Sequence, residues 1–260
     1  MLGQHFLLDL NLTRRIVRQA GDLAGCDVVE IGPGPGGLTR ALLESPCRQV
    51  IAVEKDRRCL DALAELAAAH PDRLTIIEGD ALKLETARLG RQPRHIVANL
   101  PYNIGSALLV GWLHAIAADG TLLSGLTLMF QKEVALRLVA APRSPDYGRL
   151  SILTQWLCQA KLAFDVHPAA FVPPPKVTST VVRLTPRPAP LAPAPLAALE
   201  RLTAAAFGQR RKMLRQSLRQ VSPRPEDLLA AAAIDPTRRP EELSVEEFCR
   251  LAQRLPGAGL

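Results

Sequence analysis

The residues best suited to chemistry in this chain begin with a glycine-rich run. Gly32-Pro33-Gly34-Pro35-Gly36-Gly37 directly follows the apolar stretch 28–31. The spacing Gly32, Gly34, Gly37 lets a strand turn sharply into a helix and brings the backbone close to a ligand. Alone, the loop also suits a nicotinamide enzyme or a tight turn that binds nothing. Glu54 ends the next apolar run, 22 residues after Gly32. A carboxylate there can accept both hydroxyl protons of a ribose. Asp80 closes a third run, in IIEGDA at 76–81, beside the place an adenine ring would take. It can accept from an exocyclic amine, and Asp is equally a good helix N-cap. A simple dehydrogenase has no need of this third acid, so the set points to an adenosine-containing cofactor.

A second constellation is purely cationic. Between 201 and 224 stand Arg201, Arg210, Arg211, Lys212, Arg215, Arg219 and Arg224, with no acid among them. The four-residue spacing of Arg211, Arg215 and Arg219 places them on one helical face, with Phe207, Leu214 and Leu218 on another. Such a run is usually a solvated face. The missing acids favour phosphate contact, with recognition of folded RNA by shape rather than by base readout.

The elements that must position these groups follow from hydrophobic periodicity. Strands are predicted at 28–31, 50–54, 74–78, 95–98 and 126–130, with helices at 38–44, 57–69 and 106–117 between them. This alternation implies a parallel sheet covered on both faces. Runs at 162–166 and 180–184 are separated only by a Pro-rich loop, so they should form an antiparallel pair at a sheet edge. The segment TPRPAPLAPAP at 185–195 reads as a stiff linker. Helices are expected beyond it at 196–221, 226–233 and 245–255, the last opened by a Ser244–Glu247 capping box. The domains are therefore set at 1–188 and 189–260.

The fourth predicted strand runs into Asn99-Leu100-Pro101-Tyr102-Asn103-Ile104-Gly105. This resembles the Asn/Asp-x-Pro-aromatic loop of the amino-methyltransferases. The resemblance implies that the Asn99 side-chain oxygen and the Leu100 carbonyl accept the two N–H bonds of an exocyclic amine. That would localise the nitrogen lone pair toward a methyl sulfonium, by positioning and electrostatics rather than proton abstraction. Tyr102 would stack on a base that has left its helix.

Further runs occur in a specific order: GQHFL at 3–7, FQKEVA at 130–135, YGRLS at 147–151, FVPPPKV at 171–177 and FGQRRKMLR at 207–215. Nearly end to end, the chain is similar to the rRNA adenine N6-dimethyltransferase family. The fold implied is α/β, a Rossmann-like class I S-adenosylmethionine (SAM)-dependent methyltransferase. It would carry a seven-stranded, mostly parallel sheet with an antiparallel edge pair, plus a small C-terminal all-helical domain that binds RNA. The cofactor implied is SAM, leaving S-adenosylhomocysteine as product. His5, Leu7, Gly32, Gly34, Glu54, Asp80, Ala81 and Asn99 match the family's cofactor contacts. Asn99, Leu100 and Tyr102 match its catalytic positions. Tyr102 and Phe171 would sandwich the target adenine, and Arg210, Arg211, Lys212 and Arg215 would contact RNA. The implied reaction dimethylates two adjacent adenines in the 3′-terminal hairpin of 16S rRNA within an immature 30S subunit, as a step in ribosome biogenesis. His5 stands where the family usually has Asn, so its tautomer would bear on cofactor affinity.

Composition bounds the alternatives. With 260 residues, 48% hydrophobic and 22% charged, the chain can bury a real core, and its net charge of +7 agrees with a polyanionic partner. Five scattered cysteines with no CxxC spacing fit a reducing compartment and neither a disulfide framework nor a thiolate zinc site. His70, His95, His114 and His167 lack a carboxylate or cysteine at ligand spacing, so no metal is expected. Asp9 interrupts the N-terminal apolar stretch, which has no basic start, so it is not read as a signal peptide. The uncharged run 96–118 contains Asn99, Pro101, Asn103, Gly105, Gly111 and His114, which a bilayer would leave unsatisfied. A cytoplasmic monomer is expected.

Overall fold

The computed structural model describes residues 5–255; Gly3 and Gln4 of the GQHFL run lie outside the described residues. The chain divides into two compact units, Met1–Ala135 with Ala160–Pro186, and Leu136–Gln159 with Arg187–Leu260.

The first unit is built on a strap, a sheet and flanking helices. A short strand β1 (Phe6–Leu7) leads into α1 (Leu10–Gln19). Asp9 caps that helix, its Oδ1 accepting from Asn11 N at 2.8 Å. There follow β2 (Asp27–Ile31), α2 (Gly37–Leu43), β3 (Gln49–Glu54), α3 (Arg57–Ala69) and β4 (Leu74–Glu78). The chain then crosses back through β5 (Arg94–Asn99), α4 (Gly105–Ala118) and β6 (Gly125–Gln131). These strands pair in parallel, with Val29 opposite both Ile51 and Ile96, and Val97 opposite Thr127. All five residues of β2 are buried, as an apolar strand covered on both faces must be.

The sheet order is β4-β3-β2-β5-β6-β9-β7, where β7 is Cys158–Val166 and β9 is Ser179–Pro186. The progression reverses between β2 and β5, and the crevice beyond the carboxyl ends of those two strands is where an open α/β sheet binds ligands. β9 runs antiparallel to β6, with Leu128 opposite Val182, and its other neighbour is the edge strand β7. The expected edge pair is present, and both strands are longer than predicted. The strap is a feature that periodicity does not reveal. β1 pairs antiparallel with β8 (Phe171–Val172), Phe6 opposite Val172 and Leu7 opposite Phe171.

The second unit contains α5 in part (Lys132–Val139), α6 (Arg149–Leu157), α7 (Leu196–Gly208), α8 (Leu214–Ser217), α9 (Pro225–Ala231) and α10 (Val245–Arg254). Its division from the first unit differs from the 188/189 boundary read from the sequence. It begins at Arg187 and also takes in Leu136–Gln159, because α6 packs against α7 and α10. The Pro-rich segment is not a free spacer: Trp156 Nε1 donates to Ala192 O at 2.7 Å and Leu191 N to Trp156 O at 2.8 Å.

The helix expected over 196–221 is broken. α7 stops at Gly208, α8 spans a single turn, and a 3₁₀ turn covers Leu218–Gln220. Tertiary hydrogen bonds outweigh helix propensity here. The Arg210 guanidinium donates to Glu241 Oε2 at 2.7 Å, Pro145 O at 2.6 Å and Ser144 O at 3.0 Å. Leu214 N donates to Arg238 O at 2.8 Å. Arg211, Arg215 and Arg219 therefore do not share the straight helical face that their spacing suggested. The Ser244–Glu247 capping box is formed reciprocally, at 3.2 and 2.8 Å. All five cysteines are buried.

Candidate active site

The crevice at the switch point is a cleft of roughly 1000 Å³, counting space open to solvent. His5, Gly32, Glu54, Asp80, Ala81, Asn99, Leu100 and Tyr102 all line it. Every one of them was singled out from the sequence.

The glycine loop forms the wall under the strap. Gly32, Gly34 and Gly36 have φ of 67°, 56° and 89°, a region that side chains with a Cβ rarely adopt. A Cβ on Gly34 would meet the Phe6 ring at 2.5 Å, and one on Gly37 would collide with the Leu7 carbonyl oxygen. Leu7 itself is buried in the core beneath the strap.

Glu54 is only 3% exposed, and its carboxylate is held by three backbone amides. Oε2 accepts from Gly34 N at 3.0 Å, and Oε1 from Lys55 N at 2.8 Å and Asp56 N at 2.7 Å. This fixes the carboxylate against the glycine loop. Asp80 carries out the capping role that its type allows, with Oδ1 accepting from Leu82 N at 3.1 Å. Its Oδ2 receives Lys55 Nζ at 2.8 Å, and that ammonium holds the Asp80 carboxyl below its ordinary value. Lys55 is a cleft residue that sequence reasoning passed over; its position next to Glu54 was the available signal.

Asn99 ends β5. Its Nδ2 donates to the main-chain oxygen of His5 at 2.9 Å, which leaves Oδ1 as the acceptor of that side chain. The carbonyl can only accept, so this partner also decides the amide's orientation. The Tyr102 hydroxyl lies 2.8 Å from Ser179 Oγ. Ser179 is fully buried at the start of β9, opposite Gln131, and was not flagged by its sequence context.

Two expected substrate residues are placed differently from the reading of the sequence. Phe171 is 2% exposed and belongs to the core cluster, with the His5 ring edge-on at 6.4 Å. It does not present an open face, because its ladder partner Leu7 anchors it inward. Arg210 is committed to Glu241, Ser144 and Pro145 within its own unit. Arg211 and Lys212 are exposed and Arg215 is half-buried. Lys212 and Arg219 line a polar hollow with Gln209, Gln216 and Gln220.

A second, smaller cavity lies under the strap, lined by Phe6, Leu7, Glu30, Gly32, Pro33, Pro35, Leu38 and Asn99. Glu30 accepts from Thr39 Oγ1 at 2.7 Å, and burial pushes its carboxyl up to about 8. An acid inside the apolar run VVEI was the overlooked signal. Among the described residues, no group of His, Cys, Asp and Glu gathers to hold a metal, and no helix is long and apolar enough to cross a membrane.

The doubly wound sheet, the glycine loop and the two carboxylates around one cleft define a Rossmann-like class I methyltransferase fold. The solved structure of the 23S rRNA methyltransferase ErmE has the same architecture, with a TM-score of 0.71 at 30% identity, over 96% of this chain and 99% of that one. A dimethyladenosine transferase from Plasmodium falciparum superposes with a TM-score of 0.76 at 24% identity over 95% and 96%, a likeness of fold. The family model for ribosomal RNA adenine dimethylase matches residues 1–256, and the chain belongs to that family. It is 58% identical over 259 residues to the ribosomal RNA small subunit methyltransferase A of Rhodospirillum rubrum, covering 99% of this chain and 88% of that protein. The protein of the same name from Paramagnetospirillum magneticum is 59% identical over 254 residues, 98% of this chain and 89% of that protein.

Proposed function

We propose that this chain is a SAM-dependent enzyme that dimethylates N6 of two adjacent adenines in the 3′-terminal hairpin of small-subunit rRNA. It acts on the immature subunit, as a cytoplasmic monomer. The observation that carries the reading is the fixed orientation of Asn99. With its amide nitrogen committed to His5, the side chain offers an oxygen acceptor at a cleft shared with Glu54 and Asp80.

The residues present suit a nucleoside cofactor. Gly34 and Gly37 leave no room for a Cβ, Glu54 is immobilised where it can accept ribose hydroxyls, and Asp80 stands at the far end to accept from an adenine amine. Bound there, SAM supplies a methyl group made electrophilic by its sulfonium. Asn99 Oδ1 and the Leu100 carbonyl then accept the two N–H bonds of the target amine and concentrate its lone pair. Tyr102, braced by Ser179, offers the face on which the extruded base stacks. The amine needs no strong general base, because its proton becomes acidic only once the methyl is attached. Arg211, Lys212 and Arg215 in the second unit supply phosphate contacts.

The test is methylation of purified, unmethylated small-subunit particles with SAM, followed by mass spectrometry of the 3′-terminal hairpin. Dimethyladenosine at two neighbouring positions supports the reading. Transfer only to large-subunit RNA, the substrate class in the ErmE name, would reverse it.

A further inference from the structure

Residue 5 is tied to every part of the site that the target base must reach. The His5 ring lies 5.5 Å from the Tyr102 ring at a tilt of 37°, and 6.4 Å from the Phe171 ring, edge-on. Its Nδ1 is 2.7 Å from Pro173 O. A carbonyl only accepts, so Nδ1 carries the proton. The His5 main-chain oxygen, and not its side chain, holds Asn99. A planar aromatic ring with a hydrogen-bonding edge thus lies against Tyr102, the aromatic residue that lines the cleft.

We propose that the His5 imidazole is a stand-in for the target base, covering the Tyr102 ring in the cleft until an adenine enters and displaces it. The inference rests on the adenine-methylating reading of the same cleft. The exchange needs only rotation about the His5 side-chain bonds and release of Nδ1 from the Pro173 oxygen. Asn99 stays oriented throughout, because its partner is backbone. The device keeps an apolar slot from standing open to water, and the incoming base restores the ring packing that His5 gives up.

Two measurements test this. With unmethylated small-subunit particles and saturating SAM, His5→Ala should lower the KM for particles. A slot closed in nine molecules of ten would give a fall of roughly tenfold. His5→Trp, which fills the slot more firmly, should raise it. By NMR, the His5 ring protons of the wild-type protein should carry ring-current shifts from Tyr102 and Phe171. Adding an RNA hairpin of the target sequence should move them toward free-histidine positions. A KM that is unchanged or raised in His5→Ala, or His5 resonances that stay fixed at saturating RNA, overturns the proposal while leaving adenine methylation standing. Failure of the wild-type enzyme to methylate adenine overturns both.

Discussion

The hydroxyl groups of Tyr102 and Ser179 lie 2.8 Å apart, joining the loop after β5 to the first residue of β9. Ser179 is fully buried and pinned in the ladder opposite Gln131, so it acts as a fixed post for a ring that lines the cleft. Ser179→Ala should lower kcat/KM by about fivefold, the equivalent of one net hydrogen bond of ~1 kcal/mol. Tyr102→Phe should cost about the same. Because both changes remove one shared bond, the double variant should cost little more than either alone. Full additivity in steady-state kinetics would remove Ser179 from its positioning role.

In the proposed mechanism, Asn99 is the residue on which the chemistry turns. Asn99→Ala should reduce the single-turnover methyl transfer rate by about 10²–10³-fold, as loss of an oriented polar group at a reacting centre does. Particle binding, followed by sedimentation, should persist. Transfer at the wild-type rate would take Asn99 out of the mechanism.

Glu30 makes stability depend on pH. Its carboxyl is raised by burial from 4.5 to about 8 in the folded protein. Across that window the unfolded chain releases the proton while the folded chain keeps it, so stability falls as pH rises and levels off above the folded value. Glu30→Gln keeps an acceptor for Thr39 and removes the titration. Urea melts near pH 5 and about pH 8.5 should therefore show wild type losing up to a few kcal/mol relative to the variant. Parallel pH profiles for the two proteins count against a buried, protonated Glu30.

The cationic run divides into a bonded part and an exposed part. Arg210 is held by Glu241 and two carbonyls, so Arg210→Ala should destabilise the helical unit by about 2 kcal/mol in denaturant melts. Arg211 and Lys212 are exposed. Replacing both with Gln should leave stability alone and flatten the salt dependence of RNA binding by roughly one to two units of slope. A slope equal to that of wild type would mark these two as solvated surface.

Four of the five parallel strands were legible because a strand buried on both faces is a largely apolar run, and the fifth, the edge strand β4, from its isoleucines; the acids at two strand ends could be placed at the cleft by position alone. Asn99 and Tyr102 were legible for the same reason, as the residues just beyond a strand end. Other features depend on partners far away in the chain. Ser179 matters because of Tyr102, 77 residues earlier. β1 and β8 have two residues each, too few for any period to show. The helix break after Gly208 comes from Ser144, Pro145 and Glu241, which no local pattern includes. Phe171 reads as a stacking aromatic in sequence, yet the ladder turns it into the core.

The two-residue ladder between β1 and β8 has a consequence for how the protein is made. Phe6 and Leu7 are synthesised some 165 residues before their ladder partners Val172 and Phe171. The strap over the glycine loop, and with it the anchor that orients Asn99, is thus finished only once β8 has been made. A nascent polypeptide stalled at β6 would own the glycine turn and the NLPY segment and still lack a working centre. The strap therefore closes after every parallel strand of the sheet is already in place.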